Sequence, residues 1–108
     1  MKKRVLLSIA ISMLVLTTTG LIIADSEHNY KPKDGYVPDE ATAIRIAVAV
    51  WIPIYGQKEI EGEKPYHAKL SKGVWSVEGS LADNHFGGVA IAEISKDSGC
   101  ILRVSHGK

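Results

Sequence analysis

The sequence contains a single cysteine, Cys100, among its 108 residues. One cysteine cannot form a disulfide within the chain, although an exported protein would be free to use one. A lone thiol on a strand, with no cation or base placed beside it, is most often a small buried apolar residue. We therefore expect Cys100 to be buried and unreactive.

Sequence motifs of catalysis are also lacking. There is no Gly-x-Ser-x-Gly nucleophile motif. Gly87-Gly88 precedes a predicted strand rather than a helix, so it does not fit a phosphate-binding loop. We expect these two glycines to let the chain turn or to let another backbone approach closely. No catalytic residue and no cofactor is predicted.

Histidine spacing gives no metal-binding motif. None of the four histidines lies at the short spacings of zinc motifs, and His67 and His106 would meet only if the first and last strands were neighbours. We therefore predict no metal site and expect the histidines to be solvated or to lie at the rim of the core.

The chain has no large excess of positive or negative charge, because it contains 13 basic and 12 acidic residues. Without residues 1–24, which hold three basic residues and no acidic one, the formal net charge changes from +1 to −2. A mildly acidic chain argues against nucleic acid and anionic membrane surfaces as partners. It is compatible with a basic protein partner.

The N-terminus carries the longest apolar segment of the chain. Lys2, Lys3 and Arg4 precede an uncharged run, Val5–Leu16, which continues to Ala24. Residues 1–24 are therefore predicted to be a cleaved signal peptide or an uncleaved inner-membrane anchor, and no cysteine near residue 24 offers a lipid anchor. A buried core helix fits this segment poorly. Both export alternatives place residues 25–108 in the periplasm.

The rest of the chain predicts one helix followed by strands. Residues 25–37 are polar and form a tether or irregular lead-in. A helix is expected to begin at Pro38, which is tolerated in a first turn, and to end at Pro53 and Gly56. Its main part is the run of helix formers and apolar residues from Ala41 to about Ile52. Residues 57–65 indicate a loop or short edge strand.

Four predicted strands follow, covering residues 66–71, 74–80, 89–95 and 100–105. In the first strand Tyr66, Ala68 and Leu70 alternate with polar residues, which predicts that they lie on its half-buried face. Lys72-Gly73 and residues 96–99 form tight turns, which make neighbouring strands antiparallel. The fold class is thus α+β, an N-terminal helix packed on a small four-stranded meander sheet, with the domain at 38–108. The core is small, so a homodimer or another partner is compatible with it.

Two segments are candidates for partner contacts. If residues 57–65 are extended, Glu59, Glu61 and Glu63 point to one side, as a solvated acidic edge or as a docking surface for a basic partner. The loop 82–88 places Phe86 among polar neighbours, where it either binds a partner or folds back onto the sheet. Trp51 and Trp75 are expected in the core rather than in a ligand pocket. The predicted contact residues are Glu59, Glu61, Glu63, Asp83, Asn84, His85 and Phe86.

Several segments together resemble bacterial immunity proteins with a nuclear transport factor 2-like fold. They are residues 36–41 (YVPDEA), 53–56 (PIYG), 64–66 (KPY), 75–79 (WSVEG) and above all 87–108, which ends on SHGK. The resemblance covers residues 36–108. It implies a non-enzymatic protein that neutralises a cognate toxin by stoichiometric binding. Export implies a toxin that acts or arrives in the periplasm.

Two other classes stay open beside the resemblance. One is a periplasmic small-ligand-binding or isomerase-like protein on the same cone-shaped fold, for which Glu78 and Glu93 are the only carboxylates on predicted strands. The other is an exported structural or peptidase-inhibitory domain with no cognate toxin.

Overall fold

The computed structural model describes residues 28–82 and 86–107. The predicted signal or anchor segment 1–24 and the loop residues Asp83, Asn84 and His85 lie outside these ranges. Among the helices of the described residues, none has both the length and the hydropathy that a membrane span requires. All elements below belong to the compact unit Pro32–Lys108.

Helix α1 spans Glu40–Tyr55, so the prediction that Pro38 lies in its first turn is wrong and Pro38 precedes the helix. Asp39 is its N-cap, because the carboxylate accepts a 2.8 Å hydrogen bond from the backbone N–H of Thr42. Hydrogen bonding from Thr42, helped by the charge of Arg45, lowers the pKa of Asp39. The helix continues through Pro53 and ends only at Gly56, which has φ +97°.

Helix α2 spans Gln57–Glu61, so the prediction of a loop or edge strand for residues 57–65 is wrong. Gly56 redirects the chain, and its carbonyl accepts a 3.1 Å hydrogen bond from the N–H of Ile60. Ile60 is fully buried and anchors this otherwise charged turn to the core. A single apolar residue among charges leaves too little periodicity to predict a helix this short.

The sheet contains four antiparallel strands in the order β1-β2-β3-β4, which confirms the predicted meander. Their bounds are His67–Ser71 (β1), Val74–Glu78 (β2), Ala90–Ser95 (β3) and Ile101–His106 (β4). The first and last strands are opposite edges of the sheet. His67 and His106 therefore do not meet, and the histidine pairing considered above is excluded.

The core lies between α1 and one face of the sheet. Trp51 and Trp75 both belong to it, as predicted, and Trp75 Nε1 donates a 2.8 Å hydrogen bond to the carbonyl of Val37. The fully or nearly fully buried apolar residues are Val37, Ala43, Ala47, Trp51, Ile60, Trp75, Val77, Ala90, Ala92 and Ile94. Burial of this set is the main stabilising contribution to the domain.

Two burial predictions are wrong. Leu70, expected on the half-buried face of the first strand, is 42% exposed because it lies on the edge strand β1 near its end. Cys100 is exposed because it immediately precedes the opposite edge strand, β4. Edge strands have a neighbour on one side only, so period-2 alternation along them overstates burial.

The end of the lead-in packs on the turn between β3 and β4. The N–H groups of Tyr36 and Val37 each donate a 3.0 Å hydrogen bond, to the carbonyls of Asp97 and Lys96 respectively. Gly35 has φ +86°, and a Cβ at this position would lie 2.5 Å from the carbonyl oxygen of Lys96. The chain is thus irregular but fixed from Gly35 onward.

Candidate functional site

A pocket of about 700 Å³ opens beside α2 at the end of β4. Its wall combines the end of α1, helix α2, the chain around residues 80–82 and 86–88, and the end of β4. The lining residues include Tyr55, Glu59, Glu63, Leu81, Phe86 and His106. Neither tryptophan lines the pocket, and neither do the strand carboxylates Glu78 and Glu93.

Glu63 forms the floor of the pocket and is only 7% exposed. Its Oε1 accepts a 2.7 Å hydrogen bond from the N–H of Ala90, and its Oε2 lies 2.8 Å from His106 Nε2. Gly79 makes room for it, since a Cβ there would lie 2.5 Å from Glu63 Oε1. A buried carboxylate is tolerated because both of its oxygens have partners.

Both ring nitrogens of His106 have hydrogen-bonding partners. Nδ1 lies 2.8 Å from the carbonyl oxygen of Gly107, and Nε2 faces Glu63 at 2.8 Å and Glu59 Oε1 at 3.8 Å. The hydrogen bond to Glu63, then that to Gly107, raises the pKa of His106, because both stabilise the protonated ring more than burial disfavours it. The ring of Tyr55 lies 5.0 Å from the imidazole, centroid to centroid.

A close approach of two glycines shapes one wall. A Cβ on Gly88 would lie 2.2 Å from the Cα of Gly107, and a Cβ on Gly107 would lie 2.9 Å from the Cα of Gly88. The expectation that Gly87-Gly88 permits close backbone approach is confirmed at Gly88. Gly87 has φ +111°, which favours glycine for a different reason.

The two segments predicted to contact a partner meet at this pocket. Glu59 of α2 and Phe86 of the 82–88 loop both line it. Phe86 is 100% exposed and does not fold back onto the sheet. Glu61 is exposed on the same helix but does not line the pocket, and Glu63 turns inward to its floor. An acidic edge with three carboxylates on one side is therefore not formed.

The pair of Glu63 and His106 was missed from the sequence. The two residues are 43 positions apart, and Glu63 stands in a charged run that indicates a solvated surface. Gly79 makes room for the carboxylate, but nothing in the sequence links that glycine to Glu63.

Comparison with known proteins identifies a family for this chain. Residues 42–108 match the family described as NTF2 fold immunity protein, which is more than half of the chain. No solved structure matches the chain.

Two curated relatives come from Escherichia coli (strain K12). The chain is 39% identical over 85 residues to "Uncharacterized protein YhhH", an alignment covering 78% of this chain and 66% of that protein. It is 40% identical over 73 residues to "Uncharacterized protein YbbC", covering 67% of this chain and 60% of that protein. The chain thus spans less than two thirds of the length of each relative. With the helix-on-meander fold and the matched region together, the chain belongs to the NTF2 fold immunity protein family.

Proposed function

We propose that this chain is an exported immunity protein that neutralises a cognate bacterial toxin by binding it stoichiometrically. The observation that carries the proposal is the position of Phe86, a fully exposed aromatic residue on the rim of the pocket. Family membership supplies the class of partner.

The rim has the composition of a protein-binding surface. Leu81 is 47% exposed and lines the same pocket as Phe86, so two apolar side chains flank a concave surface. Aromatic residues that enter a partner's pocket are typical energetic centres of interfaces, and polar residues around them exclude water. Phe86 is the strongest anchor candidate in the described part of the chain.

The charges beside this rim favour a basic partner surface. Glu59 and Glu61 are both exposed on α2. Acidic residues at an interface rim mainly accelerate association with a basic surface and select among partners. Lys58 lies on the same helix, so the attraction comes from a local excess of carboxylates rather than from a uniformly acidic face.

The N-terminal segment supports the exported part of the proposal. A basic start followed by the uncharged run from Val5 to Ala24 is typical of a signal peptide or an anchor. An immunity protein in the periplasm would meet toxins that act or arrive there, such as effectors that attack the cell wall or the membrane.

The pocket itself favours a second candidate, a small-ligand-binding or isomerase-like protein. Its volume of about 700 Å³ lies within the range of small-molecule sites. Glu63 and His106 would supply an acid–base pair at its floor. A co-purified small molecule without a protein partner would favour this alternative.

The test is capture of the partner followed by a toxicity assay. The full chain, tagged at residue 108 and expressed in its native cells, is purified from the periplasmic fraction, and bound proteins are identified by mass spectrometry. The captured protein is then expressed alone in the periplasm. We expect it to arrest growth, and we expect co-expression of this chain to restore growth. A captured protein that is harmless alone would contradict the proposal.

A further inference from the structure

Three side chains with metal-ligand atoms converge at the pocket floor. One oxygen of Glu59, one oxygen of Glu63 and one ring nitrogen of His106 all lie within 4.8 Å of one another. Glu59 and Glu63 are four residues apart at α2 and just beyond it, whereas His106 ends β4. The tertiary fold, not a local motif, brings the three together.

The spacing of these atoms is close to that of a coordination shell. Zn²⁺ ligands at about 2.0–2.2 Å in a tetrahedral arrangement place their donor atoms about 3.3–3.6 Å apart. The distance from His106 Nε2 is 2.8 Å to Glu63 Oε2 and 3.8 Å to Glu59 Oε1, on either side of that range. The Glu59 and Glu63 oxygens lie within 4.8 Å of each other. Side-chain shifts of about 1 Å bring the three donor atoms to coordination distance, and the exposed side chain of Glu59 has room to move.

Backbone groups outside the cluster orient two of the three ligands. Nδ1 of His106 faces the carbonyl oxygen of Gly107 at 2.8 Å, and in the neutral ring this hydrogen bond leaves the lone pair of Nε2 facing the carboxylates. Oε1 of Glu63 accepts a hydrogen bond from the N–H of Ala90, which fixes the direction of Oε2. Metal-binding histidines and carboxylates are typically held by such outer hydrogen bonds.

We infer that Glu59, Glu63 and His106 form a binding site for one divalent transition-metal ion of the Zn²⁺ type. One imidazole and two carboxylates are ligands that suit Zn²⁺, and the two carboxylates balance the charge of the ion. All three residues line the pocket, so further coordination positions face its open space, where water or a group from a partner can bind. The site does not depend on toxin binding.

The test is calorimetric titration of the full chain with ZnCl₂ in a buffer free of chelators. We expect one ion per chain. Glu59→Gln and His106→Gln should each weaken binding at least about tenfold, since each removes a direct ligand. Glu59 is exposed, so its substitution leaves the fold intact, and circular dichroism checks this for both variants.

Matched controls locate the ion. Glu61→Gln changes an exposed carboxylate on α2, and His67→Gln changes a histidine on the opposite sheet edge; both should bind Zn²⁺ as the unmodified chain does. Absence of Zn²⁺ binding by the full chain would overturn the inference. So would equal binding by the Glu59→Gln and His106→Gln variants, because the ion would then bind elsewhere.

Discussion

Glu63 Oε2 and His106 Nε2 lie 2.8 Å apart, although 43 residues separate the two side chains in the sequence. The same carboxylate accepts the N–H of Ala90 through its other oxygen. Glu63 therefore ties the segment after α2 to both β3 and β4. This contact closes the pocket floor and holds the last strand of the sheet in place.

Removing the Glu63 carboxylate should destabilise the domain strongly. Glu63→Ala leaves the buried N–H of Ala90 without its partner, and an unsatisfied buried donor costs about 1–3 kcal/mol. Glu63→Gln keeps an acceptor for that N–H and should lose less. Urea unfolding measures both variants. The control Glu61→Ala, at an exposed position, should stay within about 0.5 kcal/mol of the unmodified chain, and an equal loss in all three would contradict this role of Glu63.

Stability should depend on pH through His106. Its pKa is raised in the folded state above the ordinary value of 6.5, so the folded state holds the proton more tightly than the unfolded chain does. The stabilisation is fully present below pH 6.5 and is lost as the pH rises through the folded-state pKa. With EDTA present, the difference in free energy of unfolding between the unmodified chain and His106→Gln should shrink as the pH rises from about 6 to 8.5. A difference that stays constant over this range would contradict the assignment.

The glycine contact at the pocket wall should tolerate no side chain. Gly88→Ala would place its Cβ 2.2 Å from the Cα of Gly107, so the backbone must separate. We expect a loss of about 1–3 kcal/mol in unfolding free energy, as is typical of overpacking. Gly62→Ala is the matched control, because Gly62 has φ −68° and its added Cβ would lie 3.4 Å from its nearest neighbours. Similar losses at both positions would show that the contact is not the cause.

Phe86 should matter for binding and not for stability. Its side chain is fully exposed, so Phe86→Ala should leave the unfolding midpoint unchanged. If Phe86 anchors the toxin, the variant should bind the captured toxin at least about tenfold more weakly by surface plasmon resonance. Leu102→Ala is the control, since Leu102 is 54% exposed on β4 and does not line the pocket. Equal affinities of both variants would remove Phe86 from the interface.

The exposed carboxylates of α2 should act on the association rate. Charge reversal of Glu59 and Glu61 to lysine should slow association with the captured toxin and reduce its salt dependence. Glu63 is left unchanged because it is buried. Glu78→Lys, an exposed change on β2, is the control and should have a smaller effect. An unchanged association rate in the double variant would place the interface elsewhere.

The sequence predicts the helix and the antiparallel meander correctly, and individual residues show the physical reasons. Trp75 and Val77 alternate with polar residues on a central strand, where burial follows the period of two. Gly73 and Gly99, with φ +76° and +77°, are the turn glycines that separate the strands. Prediction is wrong at the edges, as for Leu70, because one neighbouring strand is missing there.

The site could be predicted only in part. Phe86 and Glu59 stand out as an aromatic residue in a polar loop and a charge in an acidic run, and the structure brings them to one pocket. The pairing of Glu63 with His106 depends on the register of β3 and β4 and on the course of α2, which local patterns do not contain. Glu63 stands in a charged segment, so the sequence suggests an exposed side chain like those of its neighbours, whereas the folded chain buries it.

The most direct test of the account is growth of cells that express the captured toxin in the periplasm together with this chain or its Phe86→Ala variant, at matched protein levels. The account predicts that the unmodified chain restores growth and forms a stable complex with the toxin, and that the variant protects markedly less while remaining folded. Two results would contradict the account: full protection by the Phe86→Ala variant, or no protection by the unmodified chain.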